Sequence, residues 1–196
     1  MLLPLALVAA FTILVRWLGL HVIFPALGPP GGVLVLAIQF GLIAIALRLG
    51  GIRLADLGWV RARWTREVAA GLAGMLAISA GLLAFGGHAS ETLSTIAGFS
   101  LGERARFAAI GIQAALAEET IFRGWLQGAL TPRTGLAAAI AITAAVFALS
   151  HLSLAPARLV GLCWIGVVLG VLRGGRRPLW APAIAHAVLW AAWGDA

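Results

Sequence analysis

The sequence predicts an all-α membrane protein, a polytopic helical bundle of about seven spans, and three observations carry that prediction. Hydrophobic residues make up 62% of the 196 and charged residues only 11%, too few polar side chains to clothe a soluble core of this size. The apolar residues are gathered into runs of helical length, and in lipid every backbone N–H and C=O must be paired within its own segment, which a helix achieves. The fourteen basic residues are all arginine and fall mostly in short connections between the runs, where membrane topology accounts for them. The net charge of +7 therefore carries no expectation of nucleic-acid binding.

In chain order the runs are 2–24, 33–49, 68–86, 105–127, 136–152, 158–172 and 179–193. The first has no positively charged start and no small-residue cleavage site before Arg16, so it reads as a retained span rather than a signal peptide. Gly28-Pro29-Pro30-Gly31-Gly32 reads as a turn into the second run. The 48–66 connection interleaves Arg48, Arg53, Arg61, Arg63 and Arg66 with Trp59 and Trp64, the pattern of a segment lying on lipid headgroups. Placing it in the cytoplasm also puts Arg133 and the 173–177 loop inside, with Arg104, Arg106 and Arg158 near the other face. The N-terminus is then cytoplasmic, and Asp195 and the polar 87–104 loop (His88, Ser90, Glu91, Thr92, Ser94) lie outside. Cys163, the only cysteine, sits among Leu162, Trp164 and Ile165 and reads as a small buried hydrophobe. All-arginine basicity with abundant Ala and Gly suggests a high-GC bacterial source, hence the inner (plasma) membrane. Residues 1–104 read as N-terminal helices with an interfacial loop, and 105–193 as the catalytic core of a single membrane domain.

Chemistry concentrates where charge is costly. Glu118 and Glu119 lie within the fourth run, and an ionisable group at bilayer depth marks a functional site facing protein or water. On a helix Glu119 and Arg123 are one turn apart with the acid first, the favourable order for an ion pair. Glu118 points about 100° away, toward Phe122 and Trp125, without a partner on its own helix, which makes it the candidate general base. His151 closes the fifth run and His186 lies in the seventh, each a lone imidazole in apolar surroundings. Taken together with the glutamates they resemble a constellation rather than isolated packing residues. His21 and His88 read as incidental. No His-Glu-x-x-His, no Gly-x-Ser-x-Gly and no intramembrane Gly-Asp pair is present.

Glu118-Glu119-x-x-x-Arg123, Phe147-x-x-x-His151 and Trp180-x-Pro182 leading into His186 resemble, in order and spacing, the three motifs of the CAAX-protease and bacteriocin-processing family of intramembrane glutamic endopeptidases. The resemblance covers roughly residues 105–193. It implies that Glu118 and His151 activate water, that His186 donates to the oxyanion, and that Glu119 and Arg123 orient the site. The family places an asparagine four residues after the second histidine. Here that position is Trp190, and the chain contains no asparagine, so either the Trp190 indole N–H serves as donor, another group does, or the enzyme is weak or specialised. The substrate implied is a peptide or membrane protein within the bilayer, with no cofactor. Three alternatives stay open: a zinc peptidase using Glu118, His151 and His186 as ligands, a non-catalytic membrane module that binds a peptide or confers bacteriocin immunity, and, with less support since the two halves show no convincing internal repeat, a transporter with a proton-relay glutamate.

Overall fold

A computed structural model describes residues 2–27, 29–85, 94, 96–175 and 177–194, and every regular element among the described residues is a helix. His88, Ser90, Glu91 and Thr92 of the expected outer loop, with Gly28, Arg176 and Asp195, lie outside the described residues. We number the helices α1 (Leu3–Leu27), α2 (Pro29–Gly50), α3 (Leu54–Leu57), α4 (Trp64–Phe85), α5 (Leu101–Glu118), α6 (Gly128–Thr134), α7 (Leu136–Leu149), α8 (Pro156–Arg173) and α9 (Trp180–Trp193). A π-helical segment, Glu119–Gln127, joins α5 to α6 without a break.

Four helices are long and apolar enough to cross a bilayer by themselves: α1, α2, α4 and α8. The three other expected spans fall on α5 with its π segment, on α7 and on α9. The last two have 14 residues each. At ~1.5 Å per residue that is about 21 Å, short of a ~30 Å hydrocarbon core. The Gly28–Gly32 reading needs correcting, because helix α2 already begins at Pro29. Proline suits the first helical turn, where its missing N–H is not needed and its φ is already helical.

Between helices in lipid, apolar burial gains packing rather than release of water, so small residues and polar ties decide where helices meet. Helix α9 lies between α4 and α5. Gly111 lets α5 approach it, since a Cβ there would run into Cβ of Trp190 and stand 2.8 Å from the Ala187 carbonyl. On the other flank Glu67 of α4, itself buried, accepts the backbone N–H of Ala181 at 3.2 Å, an anion placed at the start of a helix. Gly166 brings α8 against α7, where a Cβ would meet Ala144 Cα at 2.8 Å. The α1–α2 hairpin covers the π segment through Leu7, Val8, Phe11 and Val15, with Phe11 edge-on to Phe122 at 6.3 Å. Gln39 of α2 accepts from Gln113 of α5 at 2.9 Å.

The arginine-rich connections gather at one end. Arg173 donates to the Leu57 carbonyl at 3.1 Å, Leu179 N–H to Gly58 at 3.0 Å and the Trp180 indole to Val60 at 2.8 Å. Trp59 and Trp64 each lie 4.8 Å from the Trp180 ring. The expected headgroup segment thus folds onto the start of α9 as a tryptophan cluster.

Candidate active site

All nine residues of the π segment Glu119–Gln127 are buried. A π turn widens the helix and is found most often at functional sites. Here it carries Glu119 and Arg123, with Glu118 the last residue of α5, where the sequence predicts an ordinary α-helix; α1 also contains π segments, Phe11–Trp17 and Gly19–Ile23. Arg123 and Gln127 both reach α8: Arg123 Nη2 donates to the Gly166 carbonyl at 3.2 Å and Gln127 Nε2 to the Gly170 carbonyl at 3.1 Å. The equal spacing of four on both helices makes these two rungs of one ladder.

Glu119 is fully buried and faces two partners on one oxygen. Arg123 Nη1 lies 3.3 Å from Oε1 and His186 Nδ1 2.9 Å from the same atom. A carboxylate only accepts, so Nδ1 of His186 carries the proton and Nε2 is its free nitrogen. Arg123 also sits over the Phe147 ring, 4.5 Å from its centroid, with His151 and His186 edge-on to that ring at 4.7 and 6.2 Å. Phe147 is therefore the apolar floor on which the motif's ionisable groups are assembled.

His151 lies in the turn just past α7, and its Nδ1 is 2.7 Å from the Phe147 carbonyl. A carbonyl cannot donate, so this ring too has Nδ1–H engaged and Nε2 free. The next residue, Leu152, holds φ at 57°, a left-handed conformation unusual for leucine. Strain of this kind, of order 1–3 kcal/mol, clusters at active sites and is maintained by the surrounding packing.

A cavity of about 400 Å³ opens at the end opposite the arginine-rich loops and is lined by His151, His186, Trp190, Arg158, Phe147 and Trp193, among others. The structure thus brings together His151, His186 and Trp190. Glu118 does not line this cavity. Glu118 finds its partner on another helix: Arg16 of α1 places Nη2 2.8 Å from its Oε1, with the two side chains 13% and 11% exposed. Sequence reasoning missed Arg16, although the signal was available: it is an arginine inside a 25-residue apolar helix, as costly there as the glutamates. Among the described residues no hydrogen bond engages the Trp190 indole, and no three His, Cys, Asp or Glu side chains are grouped as a metal site requires.

A family model described as type II CAAX prenyl endopeptidase Rce1-like matches residues 100–192. No curated protein and no solved structure matches the chain. The matched region begins at the Ser100 cap of α5 and ends in the last turn of α9, so it contains Glu118, Glu119, Arg123, His151, His186 and Trp190 and leaves out Arg16. With several apolar helices around it, the site belongs to a multi-pass membrane protein. Residues 100–192, just under half of the chain, are thus similar to the CAAX-protease family, a family of proteases.

Proposed function

We propose that this protein is an intramembrane endopeptidase of the bacterial plasma membrane that hydrolyses a peptide bond with water activated by Glu118 and His151. The observation that carries the reading is the state of the two imidazoles. Each has Nδ1 committed to an acceptor, His151 to the Phe147 carbonyl and His186 to Glu119, and both rings line the same cavity. Their free Nε2 atoms then divide the work. His151, held by a neutral carbonyl, offers a lone pair to water. His186, with Nδ1 held by the Glu119 carboxylate, turns its Nε2 side to the carbonyl oxygen as that atom gains charge. Arg123 fixes Glu119, and through it the ring of His186. The substrate is a peptide or a membrane protein whose chain reaches the cavity end of the bundle.

A second reading draws on Trp190. Its indole lines the cavity where the family resemblance implies an amide donor, and loss of one oxyanion donor typically costs ~10²–10³ in rate. A protein that binds peptides without cleaving them would fit that substitution. Purified protein reconstituted in liposomes and challenged with a peptide library separates the two. Cleavage by wild type that disappears in Glu118→Gln and His151→Gln is expected, whereas peptide retention with no cleavage by wild type would select the binding module.

A further inference from the structure

Arg16 stands against Glu118 and has no part in the mechanism proposed above. It arises from α1, outside the matched region, and reaches Glu118 across the interface between the N-terminal hairpin and α5. A cation in an apolar span is costly, and a purely structural arginine offsets that cost by filling its donors. Arg16 fills them only in part. Its Nη2 stands 2.8 Å from Oε1 of Glu118, while its Nε finds no acceptor and Oε2 of Glu118 no donor, although both are sealed from solvent. The pair is thus held by charge and leaves hydrogen-bonding capacity on both partners.

We propose that Arg16 is a catalytic residue, the cation that stays paired with negative charge as it moves from Glu118 to the carbonyl oxygen of the scissile bond. This rests on the reading of Glu118 as the base. At rest the charge is on the carboxylate. When water attacks, its oxygen bonds to the carbonyl carbon, one water proton passes to Glu118, and the C=O π pair becomes a lone pair on oxygen. The carboxyl is now neutral and the negative charge lies on the substrate. When the C–N bond breaks, the Glu118 proton goes to the leaving amine, the carbonyl reforms, and Glu118 is again an anion. Throughout the cycle one anion stands beside one cation. Without a cation able to follow it, the charge would develop unpaired in a low-dielectric site, and donors already in place need no reorganisation at that moment. Nη2, now on Glu118, and the unfilled Nε are those donors, and Glu118 adjoins Glu119, whose partner His186 lines the cavity.

The test uses the full-length protein in liposomes, with a peptide that wild type cleaves. Arg16→Gln is expected to lower kcat by ~10²–10³ with KM unchanged, the signature of an interaction made only in the transition state. Added guanidinium is expected to restore part of that kcat in Arg16→Gln and none in Glu118→Gln, a rescue that a merely structural role would not give. Arg16→Lys, which keeps the charge with fewer donors, is expected to fall between wild type and Arg16→Gln at unchanged KM, and it decides the matter should Arg16→Gln fail to fold. Wild-type kcat in either variant overturns the proposal, as does a loss in Arg16→Gln that guanidinium leaves untouched. Full activity in Glu118→Gln sinks the underlying base reading instead, whereas an inactive Glu118→Gln beside a fully active Arg16→Gln removes Arg16 alone.

Discussion

The two halves of this bundle are held together by different means. In the C-terminal half, α5 to α9 and the π segment are cross-tied by buried polar groups: Glu119 with Arg123 and His186, and Arg123 and Gln127 with carbonyls of α8. The N-terminal hairpin α1–α2 lies on them mainly through apolar side chains, with Gln39–Gln113 and Arg16–Glu118 as its polar ties. Lipid explains why this matters. Apolar contacts between helices compete with equally apolar lipid, so the ties set the rigidity of each half. The adjacent carboxylates report the contrast most sharply. Glu119 belongs wholly to the cross-tied half, whereas Glu118 meets its cation from the loosely attached one. A buried pair tied within one half thus stands next to a carboxylate whose cation comes from the other.

Breaking the rigid side is expected to have the largest effect. Glu119→Gln leaves the guanidinium of Arg123 buried with no anion, and stranding one member of a buried pair costs about 3–5 kcal/mol. Thermal unfolding in detergent is expected to show a large loss of stability for Glu119→Gln and Arg123→Gln, with the residual activity limited by the amount of folded protein. The double variant should lose less than the sum of the two, because the stranded charge is gone. Additive losses would mean that the two groups are not coupled, and the contrast between the halves would weaken.

Glu118→Gln is the matching change on the other side. It keeps size and polarity but removes the basic form, so hydrolysis is expected to fall by at least the ~10²-fold that a general base supplies. Folding is expected to survive, since both side chains of the Arg16–Glu118 pair keep some exposure. A rate lost together with the unfolding transition would assign Glu118 to structure instead.

A third change sharpens where the halves meet the site. Gly111→Ala places a methyl group against Trp190 Cβ and the Ala187 carbonyl, both on the opposing helix. Overpacking of this kind typically costs about 1–3 kcal/mol, and it would push α9 with His186 away from α5. Lower stability with a reduced kcat is expected, whereas the equivalent change at Gly41, which meets nothing within 4 Å, should leave both unaltered.

Much of this architecture was legible because hydropathy and arginine placement are strong local signals. The helices fall close to the expected runs, and the connections around Arg61, Arg133 and Arg173 do collect at one end. The ionisable residues within apolar helices were also readable, since lipid makes each of them an anomaly. What stayed hidden depends on how distant segments meet. Nothing local indicates that Arg16 faces Glu118, because the two are joined only by the packing of α1 on the π segment. The π winding of Glu119–Gln127 was equally hidden, as a register of backbone bonds has no side-chain pattern of its own. Pro29 and Pro30 were read as punctuation although proline also opens helices, and the sequence alone does not say which use applies.

The smallest expected effect lies at the outer start of the cross-tied half, where α5 begins with a reciprocal cap. The Ser100 hydroxyl accepts the Glu103 N–H at 3.2 Å, and the Glu103 carboxylate accepts the Ser100 hydroxyl at 2.7 Å and backbone N–H at 2.8 Å. These hydrogen bonds, the hydroxyl first, hold the Glu103 carboxyl below its ordinary value of 4.5. A carboxyl depressed in the folded state adds stability that is fully present above its unfolded value and is lost as pH falls through the folded one. The cap should therefore be intact at neutral pH and weaken below about pH 4.5, with the loss confined to the acid side. Ser100→Ala removes the hydroxyl, so its acid limb in a stability–pH profile is expected to be shallower than that of wild type, with a small loss at pH 7. Because Glu103 is fully exposed, the difference should also shrink as salt is added. An identical acid limb in the two proteins would mean that the cap leaves the start of α5 unchanged, and that the ties deeper in the bundle set its position alone.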